Sequence, residues 1–227
     1  GYEKDSFLHY LDLGPQINSL IKFTKAVVSG KGDLASLSGF ELEPDIDKAG
    51  KISQVLTTGQ SVLVQIAKEP ISTKGPRVTS EISFAGRYLV LVPFSQRISV
   101  SQKIKDPEER NRLKRLITSI RPKNFGIIIR TVAEGKLVAE LDADLRSLVA
   151  KWDSLAKALP QANAPQKICS ELDRTSAILR DLLNESFNNI HVNDQEMYEE
   201  IRNYINTIAP EKSGIVKLHK LKTPIFE

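Results

Sequence analysis

Apolar positions recur along this chain with two distinct periods, and the period changes mark out the elements. Leu113, Leu116, Ile117 and Ile120 fall at helical spacing. Asp106-Pro107-Glu108-Glu109 ahead of them reads as a helix start, with proline in the first turn and acids at the positive end of the dipole. Leu141, Leu145, Leu148, Trp152, Leu155 and Leu159 form one stripe at spacings of three and four. That stripe predicts a long helix from about 136 to 158, after Gly135. Strands are predicted at 61–67, 78–84, 88–93 and 125–129 from β-branched runs bounded by glycine and proline. Ile52 to Leu56 reads as one helical turn, ended by Gly59. Residues 22–50 show no period and carry Gly30-Lys31-Gly32-Asp33 and Glu43-Pro44-Asp45, so an irregular or mobile insertion is expected. Beyond the loop at 160–165 the pattern alternates: a strand near Ile168, a helix over 174–183, a strand near Ile190, a helix over 194–208 and a strand over 215–221. Strands alternating with helices imply an α/β layer.

The fold class expected from this reading is mixed, α+β with α/β parts. Short strands, Gly/Pro turns and a basic surface in the first part suit a small OB-type barrel. The chain has 227 residues, 41% hydrophobic and 26% charged, as in globular proteins. No run approaches the roughly 20 apolar residues of a membrane helix, and no signal peptide is visible. The single cysteine, Cys169, excludes an internal disulfide and a thiolate-only zinc site. A reducing, cytoplasmic compartment is expected, and Cys169 is expected to be a buried, inert thiol in a short strand. Net charge is +4, but residues 97–123 hold nine Lys or Arg against three Asp or Glu, and residues 212–226 hold four lysines and no acid. Each run alone reads as a solvated face; two of them beside a phosphate-suited motif point to RNA.

That motif is Gly126-Ile127-Ile128-Ile129-Arg130-Thr131, a buried strand ending in Arg-Thr. Arginine offers a planar fork of charge-assisted donors, and threonine adds a hydroxyl beside it. Thr73-Lys74-Gly75-Pro76-Arg77 and Phe84-Ala85-Gly86-Arg87-Tyr88-Leu89-Val90-Leu91-Val92-Pro93 precede it. Together with Gly135-Lys136, and in this order, these stretches resemble the ribonuclease E/G family of bacterial endoribonucleases. The resemblance runs from Gly1-Tyr2-Glu3-Lys4-Asp5-Ser6-Phe7-Leu8 to Ile225-Phe226.

The resemblance implies that such an enzyme cuts single-stranded RNA and senses its 5′ end, in RNA processing and decay. It implies an OB-fold RNA-binding domain over 1–97 without its first strands, a 5′-sensor region over 98–165, and part of an RNase-H-like subdomain over 166–227. It assigns Arg130 and Thr131 to a 5′-monophosphate, with Gly86 and Val90 against the first nucleotide. It assigns Phe7, Lys68 and Lys74 to the RNA strand, with Arg77, Arg87 and Lys103 on the same basic surface. Ordinary readings stand beside these: a bulge glycine at 86, a core valine at 90, a buried Phe7, a core Trp152. The magnesium and zinc that the family uses, for cleavage and between subunits, are implied for the full enzyme, a homo-oligomer, and not for these residues. Asp142, Asp144, Asp173 and Asp181 are not a metal pair, and Asp142 and Asp144 point to different helix faces. His9, His191 and His219 show no ligand or triad spacing. A chain that opens on glycine is expected to be a fragment, one that binds RNA without cutting it. The alternatives are a stand-alone, non-catalytic RNA-binding or ribosome-associated protein, and an interaction module that docks through its apolar helix stripe.

Overall fold

Ile17, Leu20 and Phe23 lie three residues apart, and helix α1 (Ile17–Val28) turns all three into the interior. Gly30, with φ of 69°, ends that helix in the left-handed conformation that costs glycine nothing. This corrects the expectation of an irregular stretch over 22–50: the stripe begins at Ile17, so a window opened at 22 cuts it in half. The structure, a computed structural model, describes residues 4–30, 37–47, 49–170, 174–183, 186–220 and 223–225. The expected glycine-rich tip at 31–33 lies outside the described residues.

The chain divides into two units, Gly1–Ser170 and Glu171–Glu227. In the first, β1 (Gln65–Lys68) and β2 (Arg77–Thr79) form an antiparallel ribbon, with a register shift between Ile66 and Lys68. β3 (Phe84–Ala85), β4 (Leu89–Pro93), β5 (Ile98–Val100) and β6 (Phe125–Ile129) form a second sheet in the order β3-β4-β6-β5. β4 is antiparallel to β3 and β6, whereas β5 runs parallel to β6. A parallel pair needs a crossover, and helix α2 (Pro107–Ile120) supplies it. Asp106 caps α2 by accepting the Glu108 N–H at 2.9 Å. β5 escapes the sequence reading because three residues among so many cations carry too little period. Residues 80–83, expected to extend a strand, lie between β2 and β3. No closed barrel is present among the described residues.

Helix α3 (Val138–Ala158) turns Leu141, Leu145, Leu148, Trp152 and Leu155 inward, as its stripe predicts. Trp152 is 0% exposed. Its ring centroid lies 5.0 Å from Phe23, 5.4 Å from Phe94, 6.1 Å from Phe125 and 6.4 Å from Phe84. One core therefore draws on residues from both sides of position 97. The segment 37–47 joins it through Leu37 and Phe40, pinned by Asn124, whose side-chain amide donates to Leu37 O at 2.8 Å and Phe40 O at 2.7 Å.

The strand expected near Ile168 is absent: 166–170 belongs to no helix or strand. Ile168 alone packs against the core, and Cys169 is exposed, not buried. In the second unit, α4 (Arg174–Leu182), β7 (Ile190–Val192), α5 (Gln195–Ile208) and β8 (Val216–Leu218) follow the expected alternation. β7 and β8 are parallel, and Leu179, Val192, Ile201, Ile205 and Val216 share a separate core. No helix among the described residues is long and apolar enough to cross a membrane.

Candidate functional site

The start of β4 and the ends of β5 and β6 meet at one end of the four-stranded sheet. Arg130 follows β6 in extended conformation, and its N–H donates to Tyr88 O at 2.8 Å. Its guanidinium Nη1 donates to Gly86 O at 2.7 Å. Thr131 Oγ1 and Ser101 Oγ are 2.8 Å apart, and the Ser101 N–H donates to Ile129 O at 2.9 Å. The Lys103 N–H donates to the same Ser101 hydroxyl at 3.3 Å. Arg110, from α2, shapes this loop by donating to Ser101 O at 2.6 Å and Ile104 O at 3.1 Å. Gly86, Arg130, Thr131 and the Lys103 backbone are thus gathered by short bonds. Arg130 and Thr131 are half-buried rather than sealed inside.

The outward sheet face leads into this end. The register aligns Ala85, Val90, Ile128 and Ser99 in one row across the sheet. Leu89, Leu91, Ile127 and Ile129 face the core on the other side. Val90 is half-buried and Ile128 is 43% exposed, so Val90 is not a core valine. Arg130 is two residues beyond Ile128 and continues the same face. Arg87 places its guanidinium 5.4 Å from the Tyr88 ring centroid, with Lys136 Nζ at 5.7 Å from the same ring. Burial pushes the Tyr88 phenol up from its ordinary value, against the pull of both cations.

Asp144, from α3, closes the loop between β3 and β4. Its carboxylate accepts the N–H groups of Arg87 at 3.1 Å, Tyr88 at 2.9 Å and Leu89 at 2.9 Å. A Cβ on Gly86 would lie 2.6 Å from both carboxylate oxygens. The glycine at 86 is therefore required by close approach. Sequence reasoning set Asp144 aside as a metal ligand and missed this role. The available signal is its place three residues after Leu141 and four before Leu148, on the inward side of the helix, where a carboxylate requires a partner.

The other predicted residues gather on the β1–β2 ribbon. Phe7 lies along β2: its N–H donates to Pro76 O at 2.8 Å, and its carbonyl accepts the Val78 N–H at 3.0 Å. Phe7 is 59% exposed, which removes the reading of a buried side chain there. Lys68 stands opposite Arg77 in the ladder, and Lys74 closes the tight turn from Ile71; both lysines are exposed. Arg77 differs from them. Its Nε donates to Asp12 Oδ2 at 2.8 Å and its Nη2 to Asp12 Oδ1 at 2.7 Å. That bidentate pair holds the Asp12 carboxyl below the usual carboxylate range and makes Arg77 a brace for the ribbon.

A second carboxylate orders the loop after Thr131. Glu109 accepts Arg112 Nε at 2.6 Å and Nη2 at 2.7 Å, and also the Gly135 N–H at 2.8 Å. The Arg112 hydrogen bonds hold the Glu109 carboxyl down at about 2, with the Gly135 N–H adding to them against burial. A depressed carboxylate stabilises the fold above its ordinary value, 4.5, and that contribution is lost as the pH falls toward about 2. Arg112 is partly in solvent, which screens the pair. Glu109→Gln is expected to cost roughly 1 kcal/mol at pH 7. The gap between variant and wild type, measured by urea unfolding, should close between pH 4.5 and pH 2.

Among the described residues no three or more His, Cys, Asp or Glu side chains come together as metal ligands.

The model of the Ribonuclease E/G family matches residues 83–227. Ribonuclease E of Nostoc sp. is 30% identical over 228 residues, 99% of this chain and 29% of that protein. Ribonuclease G of Haemophilus influenzae is 31% identical over 227 residues, 100% of this chain and 42% of that protein. A Ribonuclease E/G-like protein of Pyropia yezoensis is 36% identical over 170 residues, 75% of this chain and 33% of that protein. The chain spans about a third of the length of these curated relatives.

Proposed function

The chain belongs to the ribonuclease E/G family, and we propose that it is the part of such an endoribonuclease that holds single-stranded RNA and recognises its 5′-monophosphate. The observation that carries this reading is the placing of Arg130 and Thr131 side by side where β6 ends, with the guanidinium anchored on the Gly86 carbonyl. A terminal monophosphate carries close to two charges and three acceptor oxygens. An arginine fork and a hydroxyl meet those oxygens with charge-assisted hydrogen bonds. A 5′-hydroxyl offers neither charge nor phosphate oxygens, and a triphosphate is bulkier and more highly charged than a monophosphate. The half-exposed row of Val90 and Ile128 offers an apolar bed for the first nucleotide.

The RNA strand is assigned to the β1–β2 ribbon, as part of an OB-type module. Phe7 offers a ring on which an unpaired base stacks. Lys68 and Lys74 neutralise backbone phosphates without reading sequence. Residues 98–165 are assigned to the 5′ sensor and 166–227 to an RNase-H-like subdomain. Cleavage, with its magnesium, is assigned to other parts of the enzyme, and so is the zinc of a homo-oligomer.

Titration of labelled single strands that differ only at the 5′ end tests the reading. The monophosphate is expected to bind more tightly than the hydroxyl and the triphosphate; equal affinity for monophosphate and hydroxyl would overturn it. Lys74→Ala is expected to weaken all three strands by one common factor. It should also lower the slope of log affinity against log salt by about one, as expected for one lost phosphate contact.

A further inference from the structure

We propose that Asp144 is a positioning residue for the 5′-phosphate pocket: by filling the amide cradle at 87–89 it fixes the Gly86 carbonyl, and through that carbonyl it aims the Arg130 fork. The inference rests on the 5′-monophosphate reading and adds to it a residue that does not touch RNA.

The chain of contacts is short. Arg87, Tyr88 and Leu89 direct three successive N–H groups at one carboxylate. Successive amides of this kind form a concave anion site. Left empty, the cradle would compete with Arg130 for the terminal phosphate; the Asp144 carboxylate occupies it. The same loop is tied back to β4, since the Gly86 N–H donates to Leu89 O at 2.8 Å. The Gly86 carbonyl then receives the Arg130 guanidinium at 2.7 Å. α3 supplies a rigid base for this arrangement, because Leu141, Leu145 and Leu148 beside Asp144 are fully buried. Gly86 completes the fit: any side chain there would push against the carboxylate at 2.6 Å.

Asp144→Asn keeps the shape but replaces one acceptor oxygen with an amide donor facing the N–H groups. The affinity ratio between 5′-monophosphate and 5′-hydroxyl strands is expected to fall roughly tenfold, the worth of one lost charged hydrogen bond. Affinity for the 5′-hydroxyl strand should be unchanged. In an Arg130→Ala background, Asp144→Asn should change the ratio no further, because it acts through Arg130. Gly86→Ala disturbs the cradle from the opposite side and should lower the ratio as well, beyond any loss common to both strands from its place against the first nucleotide. It decides the matter if Asp144→Asn loses its fold, as judged by Trp152 fluorescence. A wild-type protein that does not discriminate the two ends would overturn the 5′-phosphate reading itself. If instead the wild type discriminates and Arg130→Ala abolishes the difference, a folded Asp144→Asn or Gly86→Ala that keeps the full ratio would overturn the positioning role. So would a folded Asp144→Asn that weakens both strands equally.

Discussion

Arg130→Ala is expected to abolish the preference for a 5′-monophosphate, at a cost of about 1.5–3 kcal/mol, the worth of a charged hydrogen-bonding partner. That corresponds to roughly ten- to 150-fold in the affinity ratio. The direction follows from the geometry at the end of β6. Arg130 is the cation that continues the outward face of Val90 and Ile128, and the Gly86 carbonyl fixes its orientation. Alanine removes the charge and the fork and leaves the Thr131 hydroxyl, which carries no charge of its own. Affinity for a 5′-hydroxyl strand should stay at the wild-type value, because that end never engages the guanidinium. Arg130→Lys separates charge from shape: an ammonium keeps the attraction but lacks the planar fork, so part of the preference should return. Paired titrations of the two strands against each variant check all three outcomes. A wild-type ratio in Arg130→Ala would remove the pocket from the account.

Trp152→Ala is expected to cost about 3–5 kcal/mol of stability, the range for a large aromatic removed from a packed core. Trp152 is 0% exposed and has four phenylalanine rings within 6.4 Å, from α1, β3, β6 and the turn after β4. Those rings are fixed by different elements and cannot all move in to fill the space. Phe94 is the least free to move, since its backbone sits at φ of 63°, a region that a bulky side chain enters only when its surroundings hold it there. Trp152→Phe should recover much of the loss. Urea unfolding followed by circular dichroism measures both variants. A cost under 1 kcal/mol for alanine would mean that this cluster is not the centre of the core.

Long periodic elements were legible in the chain, and short or bond-defined ones were not. The stripe from Leu141 to Leu159 predicted α3 to within two residues, because six apolar positions at a steady spacing leave one solution. Asp106-Pro107 marked the start of α2 for the same local reasons that cap it in the fold. β5 carries only Ile98, Ser99 and Val100, and its pairing with β6 depends on a crossover that no window of sequence contains. α1 was hidden by a window that began inside it. Of the candidate site, Arg130, Thr131 and Gly86 were legible from motifs. Their link through one carbonyl was not, since Gly86 and Arg130 are 44 residues apart. Asp144 and Arg77 show the converse. A carboxylate among inward-facing leucines and an arginine in a basic turn look alike until their partners are known. One then proves to hold a loop, and the other to clasp Asp12.

The shared interior described for the first unit has a practical corollary for protein engineering. Leu13, Ile17, Leu20, Phe23, Leu37 and Phe40 line the same interior as the sheet whose end carries Arg130. A graft cut at position 98 would leave behind those upstream side chains and, with them, β3 and β4. The loops at the end of that sheet are therefore not a portable cassette. A transplant that works has to begin upstream of Leu13 and carry everything through Leu159, and any shorter version should arrive as a sticky, half-built shell.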